Sequence, residues 1–232
     1  MWMLISFRAT SHAREALSSD ARATVVRGTN HWHFQPTTSS RRTGFLFFPG
    51  AVVDPVAYAP LLHEVSAAGY TAVLIEVPRR GALGGAEDPA VFVRAREAMS
   101  STNDVDRWVA AGHSRGGLIA ATLVRADTSK FRGLVLIGTS HPRDFSLADA
   151  PVHVTQVFGS RDTVADVEKV VAARKNLPPS ARAVPIEGGN HSQFGYYGFQ
   201  LGDWPATIGR DVQQRLTRDA VIEALHAADK EQ

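Results

Sequence analysis

The stretch VAAGHSRGGLIAATLV, residues 109–124, begins with the apolar run of a buried strand and ends with the apolar spacing of a helix. Between the two lies Gly112-His113-Ser114-Arg115-Gly116, a serine flanked by glycines where the strand turns into the helix. The pattern G-x-S-x-G in this setting is typical of a nucleophile on a sharp, strained turn. Glycines leave room there, because side chains would collide with the neighbouring strand and helix. Ser114 is therefore the candidate nucleophile.

On both sides of this stretch, short apolar runs alternate with helical patterns. Near-continuous Val, Ile, Leu and Phe runs separated by helices indicate a mostly parallel sheet covered on both faces. The expected fold class is therefore α/β, a doubly wound sandwich. The first two expected strands are joined by Gly28-Thr29-Asn30, which predicts a hairpin at about residues 23–34. The expected strands are 23–26, 32–34, 44–48, 71–77, 107–111, 133–137, 152–158 and 183–186. The expected helices lie near 55–68, 89–100, 115–127, 164–176 and 208–227.

Length and charge limit the classes of protein to consider. The 232 residues fit a single domain, 1–232, without a separate cap domain. A formal net charge of +2 argues against a nucleic-acid or membrane-surface partner. The absence of cysteine excludes disulfides, thiolate metal sites and a cysteine nucleophile. The apolar start MWMLIS is too short for a signal peptide, and no run approaches a membrane span, so we expect a cytoplasmic protein.

A serine hydroxyl needs a base to remove its proton, and nine histidines compete for that role. His191 lies in a glycine-rich loop after the last expected strand, at the sheet edge where ligands bind in such folds. His113 is next to the serine, but we expect the turn to point it away and the ring to be packed. His31 and His33 share one face of a strand without a carboxylate or third histidine nearby, so no metal site is expected.

The third member of a catalytic triad is a carboxylate that holds the imidazole in the correct tautomer. Asp162 follows the seventh expected strand, and the order Ser114, Asp162, His191 is the order found in one fold family. Asp162 has an alternative role as the cap of the following helix, and it could serve both functions. Asp144 and Asp149 are weaker alternatives for the acid.

An oxyanion needs two backbone donors. We expect one from the N–H of Arg115, the residue after the nucleophile, and the other from the loop after the third expected strand. In that loop Gly50 allows the backbone to turn inward, and Ala51 or Val52 would donate. Val52 is also a candidate substrate contact.

Arginines are frequent at this edge of the expected sheet. A guanidinium cluster could bind an anionic acyl or leaving group. The alternative, which we favour in an arginine-rich chain, is solvated surface arginine. Arg79 and Arg80, which directly follow a strand, are the main candidates for substrate binding. The five arginines at or near the edge are Arg79, Arg80, Arg115, Arg143 and Arg161.

Four stretches together resemble the alpha/beta-hydrolase superfamily, and most closely its small, lid-poor branch of the alpha/beta hydrolase family 5 type, related to dienelactone hydrolases. They are FFPGAVVDPVAYAPL, AGHSRGG, VFGSRD and IEGGNHSQFGYYG. The resemblance extends over residues of about 23 to 215 and implies a mostly parallel sheet of eight strands with an antiparallel strand near its start. It also implies that Ser114 is the nucleophile, His191 the base and Asp162 the orienting acid. Arg115 departs from the pattern, since members often carry an apolar residue there.

The sequence thus predicts a serine hydrolase that cleaves small to medium carboxylic esters through an acyl-enzyme. The short segments 78–89 and 138–151 leave no room for a helical lid, so a minimal lid is expected. Neither a cofactor nor a metal is implied. A thioesterase, a lactonase or an amidase with the same triad is an alternative, as is a non-catalytic ligand-binding module on the same fold. The sequence leaves the oligomeric state open.

Overall fold

The computed structural model describes residues 6–38 and 40–230, and its central feature is a sheet of eight strands. The strands lie side by side in the order β1-β2-β4-β3-β5-β6-β7-β8. Their bounds are β1 Ala23–Arg27, β2 His31–Pro36, β3 Thr43–Phe48, β4 Ala72–Ile75, β5 Arg107–His113, β6 Phe131–Ile137, β7 His153–Gly159 and β8 Arg182–Ile186.

The strand directions agree with the expected mostly parallel sheet. β2 runs antiparallel to both of its neighbours, β1 and β4, and every other pair in the sheet is parallel. β1 and β2 form the expected hairpin, in which Ala23 pairs with Pro36 and Arg27 with Trp32. β4 is shorter than the apolar run 71–77, and just beyond its end the N–H of Glu76 donates to the Asn30 carbonyl in the hairpin turn.

The five expected helices are present, with short 3₁₀ turns at some ends, and a short helix that the sequence analysis did not predict precedes the first strand. Pro55–Tyr58 precedes the second helix as a 3₁₀ turn. The helix expected over 164–176 begins later, at Val167, because Asp162 accepts the N–H groups of Val164 and Ala165 and holds them in a turn. The helices are α1 Ser11–Glu15, α2 Ala59–Ala67, α3 Pro89–Ser100, α4 Arg115–Ala126, α5 Val167–Ala172 and α6 Arg210–Lys230.

The core lies on both faces of the sheet, as the central strand β3 shows. All six of its residues are buried, and successive side chains of a strand point to opposite faces. Phe45 and Phe47 pack with residues of α2 and α6 on one face. Leu46 and Phe48 pack with residues of α3 and α4 on the other face. The chain is therefore a doubly wound α/β fold, as predicted.

The parallel strands end at one common edge, and this arrangement positions the loops that matter for function. The loops after β3, β5, β7 and β8 meet there, although they lie far apart in the sequence. None of the helices in the described ranges is long and apolar enough to cross a membrane.

Candidate active site

Ser114 lies on a strained turn between β5 and α4. Its φ of 53° and ψ of −121° place a non-glycine residue in a sparsely populated region, at a cost of about 1–3 kcal/mol. A Cβ added to Gly112 would lie 2.2 Å from the Gly116 carbonyl carbon, and one added to Gly116 would lie 2.1 Å from the Phe48 oxygen. Both flanking glycines are therefore required for the strand and helix to approach this closely.

His191 and Asp162 form a buried pair at the same sheet edge. His191 Nδ1 lies 2.8 Å from Asp162 Oδ2, and both side chains are almost fully enclosed. The second oxygen, Oδ1, accepts the N–H groups of Val164 at 3.0 Å and Ala165 at 2.7 Å. Asp162 thus orients the imidazole and caps the turn before α5, the two functions anticipated from the sequence.

The alternative acids do not occupy this position. The carboxylate that contacts the His191 ring belongs to Asp162 and not to Asp144 or Asp149. Because β7 and β8 are neighbours in the sheet, the loops that follow them bring Asp162 and His191 together, whereas Val164 and Ala165 are close to Asp162 in the sequence.

Ser114 and His191 line one cavity of about 330 Å³. His191 Nε2 is buried and has no hydrogen-bond partner among the described residues. Since Nδ1 is engaged by Asp162, Nε2 is the ring nitrogen available to exchange a proton. A larger cavity of about 420 Å³ lies beside α1 and α2, away from the strained serine, so size alone does not identify the site.

The loop after β3 lines the same cavity and offers a backbone donor. The N–H of Val52 donates to the Arg80 carbonyl at 2.6 Å, so this amide is not available to an oxyanion and the sequence alternative of Val52 as donor is wrong. The amide of Ala51 forms no hydrogen bond with the described residues. Ala51 and Arg115, the first residue of α4, remain the two candidate donors. The Val52 side chain lies in the cavity wall.

His113 does not point away from the site, in contrast to the expectation. Its ring is packed and buried, but the ring centroid lies 4.4 Å from that of His191. His113 Nδ1 lies 2.8 Å from the hydroxyl of Tyr58. Burial, and secondarily the proximity of His191, holds the pKa of His113 well below its ordinary value. The side chain is therefore a neutral neighbour of the candidate base.

Asp203 is a site residue that the sequence analysis missed. Its buried carboxylate accepts the His191 N–H at 3.2 Å, the Ser192 N–H at 2.8 Å and the Ser192 hydroxyl at 2.7 Å. These bonds fix the backbone of the histidine loop. No local pattern marks this aspartate, because its partners lie 11 and 12 residues earlier and meet it only when the loop folds back.

Two of the rim arginines pair with carboxylates. Arg79 Nη2 lies 3.1 Å from Asp88 Oδ2, and Arg115 pairs with Glu87. In the described part of the chain, no arginine lines the cavity that contains Ser114. Substrate binding by these arginines stays a prediction. The five rim arginines are Arg79, Arg80, Arg115, Arg143 and Arg161.

The histidine pair of β2 has a structural setting. The rings of His31 and His33 meet nearly edge to face, with centroids 4.7 Å apart. Across residues 6–38 and 40–230, no three His, Asp or Glu side chains are grouped so that they could hold a metal ion.

The family of the chain follows from comparison with known proteins. Residues 44–215 match the model of the alpha/beta hydrolase family. The chain therefore belongs to this family of hydrolases, and the resemblance inferred from its motifs is confirmed. Comparison with curated proteins finds no match.

Solved structures share the fold at low sequence identity. A predicted CIB-like hydrolase from Thermoplasma acidophilum is 17% identical, with a TM-score of 0.60 over 87% of this chain and 98% of that one. Carboxylesterase CesB from Bacillus subtilis is 11% identical, with a TM-score of 0.61 over 93% and 95%. The dienelactone hydrolase-like promiscuous phosphotriesterase P91, from metagenomic libraries, is 15% identical, with a TM-score of 0.62 over 88% and 98%. At such identities the likeness establishes the fold alone.

Proposed function

We propose that this protein is a serine hydrolase that cleaves small to medium carboxylic esters, with Ser114 as nucleophile, His191 as base and Asp162 as orienting acid. One observation carries the proposal. In the buried His191–Asp162 pair, 2.8 Å apart, His191 Nε2 has no partner within the described residues and lies in the cavity that the strained Ser114 also lines. His113 Nε2 is also buried and unpaired, but its Nδ1 contacts the Tyr58 hydroxyl, whereas His191 Nδ1 contacts a carboxylate that would stabilise an imidazolium.

Acylation begins when the Ser114 oxygen attacks the ester carbonyl carbon while His191 Nε2 accepts the hydroxyl proton. Asp162 keeps the other ring proton on Nδ1, so that Nε2 presents its lone pair, and it stabilises the imidazolium that forms. The negative charge that develops on the carbonyl oxygen is stabilised by the N–H groups of Ala51 and Arg115.

The tetrahedral intermediate then breaks its bond to the alcohol oxygen, which takes the proton from His191 and leaves as the alcohol. The acyl group remains bound to Ser114. Water attacks this acyl-enzyme with His191 again accepting a proton, and the return of that proton to Ser114 releases the carboxylic acid. No additional group is needed to balance these steps.

The cavity wall supports a compact acyl group. Beside the two catalytic side chains, the wall is mainly apolar and includes Val52, Val53 and Leu201. A volume of about 330 Å³ is at the lower end of pockets that bind small molecules. We propose that the acyl chain contacts this apolar wall.

The proposal is tested by labelling with a fluorophosphonate and by hydrolysis of p-nitrophenyl esters. The wild-type protein should be labelled at Ser114, and Ser114→Ala should lose both labelling and turnover. Ser66→Ala is the matched control, because the buried Ser66 hydroxyl in α2 has no hydrogen-bond partner in the part of the chain that the structure describes, and this variant should keep both.

The outcomes separate the alternatives. A wild-type protein that is not labelled would indicate a non-catalytic binding module. If Ser114 is labelled but thioesters, lactones or amides are turned over faster than esters, the triad assignment stands and the proposed substrate class is wrong. Full turnover by Ser114→Ala would refute the serine mechanism.

A further inference from the structure

A buried hydrogen-bonded bridge lies behind the candidate catalytic residues. The Tyr58 hydroxyl, at the end of the 3₁₀ turn before α2, is 2.8 Å from His113 Nδ1 and 3.2 Å from the backbone nitrogen of Gly50. Tyr58 and His113 are each 1% exposed. None of these three groups takes part in the proposed proton transfers, although all three border the site.

The donors and acceptors of the bridge follow from its chemistry. The Gly50 amide can only donate, so the Tyr58 oxygen accepts its hydrogen. The Tyr58 hydroxyl hydrogen then goes to His113 Nδ1, which places the ring proton of His113 on Nε2. His113 Nε2 is buried without a partner among the described residues. Burial lowers the pKa of His113, which favours this neutral form.

The bridge connects two parts of the site that must keep a fixed distance. Gly50 immediately precedes Ala51, the candidate oxyanion donor, and His113 immediately precedes Ser114. A Cβ added to Gly50 would lie 3.0 Å from both His113 Nδ1 and the Tyr58 hydroxyl, and 3.6 Å from the Ser114 Cβ. The oxyanion loop and the nucleophile turn therefore meet directly at the bridge.

His113 also packs against the candidate base. The rings of His113 and His191 are 4.4 Å apart between centroids and tilted by 44°. Phe194 packs on His113 as well, with centroids 5.6 Å apart. A neutral His113 supports the His191 ring without repelling the imidazolium that forms during acylation, whereas a charged ring at this distance would disfavour that imidazolium.

We propose that Tyr58 and His113 are positioning residues, whose hydroxyl–imidazole bridge fixes the oxyanion loop relative to the nucleophile turn while the neutral His113 ring supports His191. This inference rests on the proposed function. Oxyanion donors are effective only when they are held at the site of developing charge, so the bridge should matter in the transition state more than in substrate binding.

The first test is Tyr58→Phe, which removes the bridging hydroxyl and keeps the ring. We expect kcat for p-nitrophenyl butyrate to fall at least about tenfold, since small misplacements of catalytic groups have effects of that order or larger. KM should change by less than about twofold, because ground-state binding does not use the oxyanion donors. Tyr70→Phe is the matched control, because the buried Tyr70 hydroxyl has no hydrogen-bond partner in residues 6–38 and 40–230, and kcat should be unchanged.

A second pair of variants separates the bridge from packing. In His113→Asn the amide oxygen lies two bonds beyond Cβ, as Nδ1 does in histidine, and it can still accept from Tyr58. His113→Leu fills a similar volume without an acceptor. We expect the asparagine variant to keep at least about fivefold more kcat than the leucine variant, because only the former satisfies the Tyr58 hydroxyl. Equal kcat values in the two variants would refute the bridge.

The state of the His113 ring is measured independently of turnover, by NMR of ¹⁵N-labelled histidine in the full-length protein at pH 7. The expected result is a neutral ring with its proton on Nε2. A proton on Nδ1 would overturn the bridge. If the wild-type protein is labelled at Ser114 and Tyr58→Phe is fully active, the positioning role of the bridge is refuted and the proposed function stands. If the wild-type protein is not labelled, both the proposed function and the positioning role are refuted.

Discussion

At Asp162 one carboxylate serves two sets of partners, one on each oxygen. Oδ2 contacts His191 Nδ1, whereas Oδ1 accepts the amides of Val164 and Ala165. Because the contacts are divided between two atoms, a substitution can remove one and retain the other. The catalytic and structural roles of this residue are therefore separable by experiment.

Asp162→Asn should keep the turn before α5 and lose catalytic activity. The amide oxygen can still accept from Val164 and Ala165, but an NH₂ facing His191 favours the tautomer with its proton on Nε2, which cannot act as a base. We expect kcat to fall by about 10⁴, as for the same change in other triads. The melting temperature should stay close to that of the wild type. A loss below tenfold would contradict the role assigned to Asp162.

Asp166→Asn provides the control at the neighbouring cap. Asp166 Oδ1 accepts the N–H groups of Glu168 and Lys169 at the start of α5, and asparagine caps helices about as well. Both kcat and the melting temperature should stay near the wild-type values. Asp162→Ala, which removes both functions, should in addition lower the free energy of unfolding by about 0.5–2 kcal/mol.

At the scale of elements, the junction of β5 and α4 decides the geometry of the nucleophile. The first turn of α4 packs against the carbonyls at the end of β3, at a distance that only glycine permits. The same packing brings the oxyanion loop beside Ser114. The G-x-S-x-G pattern is therefore a requirement of packing between three elements as well as of the turn itself.

Gly116→Ala should destabilise the protein strongly. Its Cβ would lie 2.1 Å from the Phe48 oxygen and 2.6 Å from the Pro49 oxygen, both backbone atoms that cannot move aside cheaply. We expect the free energy of unfolding to fall by at least about 3 kcal/mol, the range of severe steric and strain effects. Urea unfolding measures this change. In the control Gly209→Ala, where a Cβ meets no atom within 4 Å, the change should not exceed about 1 kcal/mol. Similar changes in both variants would contradict the packing argument.

The short connections between strands and helices also limit the length of the acyl chain that the site favours. The segments from β4 to α3 and from β6 to β7 form only short turns, so neither segment provides a helical lid over the cavity. We expect kcat/KM for p-nitrophenyl butyrate to exceed that for the palmitate at least about tenfold, since a long chain extends into water beyond the 330 Å³ cavity. A preference for palmitate would contradict this prediction.

Leu201 contributes to the expected preference for short acyl chains. It lines the cavity although its side chain is 78% exposed. Leu201→Ser should lower kcat/KM for butyrate more than for acetate, because the longer chain loses an apolar contact. Leu83→Ser is the control, because Leu83 is 92% exposed and does not line the cavity, and this variant should treat both esters as the wild type does.

At the scale of the whole molecule, folding buries several histidines in neutral form. Burial lowers the pKa of His33 and of His141 from 6.5 to about 4 in each case. Burial also lowers the pKa of His113. Between pH 6.5 and about 4, the unfolded chain, whose histidines have ordinary pKa values, binds more protons than the folded chain. Acid therefore favours unfolding.

We expect the free energy of unfolding to be insensitive to these groups above pH 6.5 and to decrease as the pH falls from 6.5 towards 4. Each such histidine adds a slope of up to about 1.4 kcal/mol per pH unit in that window. Urea unfolding of His33→Gln should show a smaller slope than the wild type below pH 6.5 and a parallel curve above it. An unchanged slope in the variant would show that His33 titrates normally in the folded protein.

The sequence alone predicts most of the fold because the relevant information is local. The alternation of apolar runs and helical patterns depends on neighbours a few residues apart, and it predicts a mostly parallel sheet covered on both faces. The order of the strands within the sheet is known only from the structure. Ser114 is identified in the same way, since the strand, the flanking glycines and the helix are contiguous. Chain order and positions after the last two strands favoured His191 and Asp162, with Asp144 and Asp149 as weaker alternatives, and the structure brings the favoured pair into contact.

Only the tertiary structure reveals the residues that surround this pair. Asp203 reaches the site from a loop and Tyr58 from the 3₁₀ turn before α2, and neither has a local signature. His113 faces His191 because of packing that the turn sequence does not encode. The amide of Val52 is occupied by Arg80, a partner 28 residues away. Hydrogen bonds of this kind depend on distances between atoms of separate loops to within a few tenths of an ångström. Such distances are determined by how the loops pack at the sheet edge, and not by the pattern of residues within any one of them.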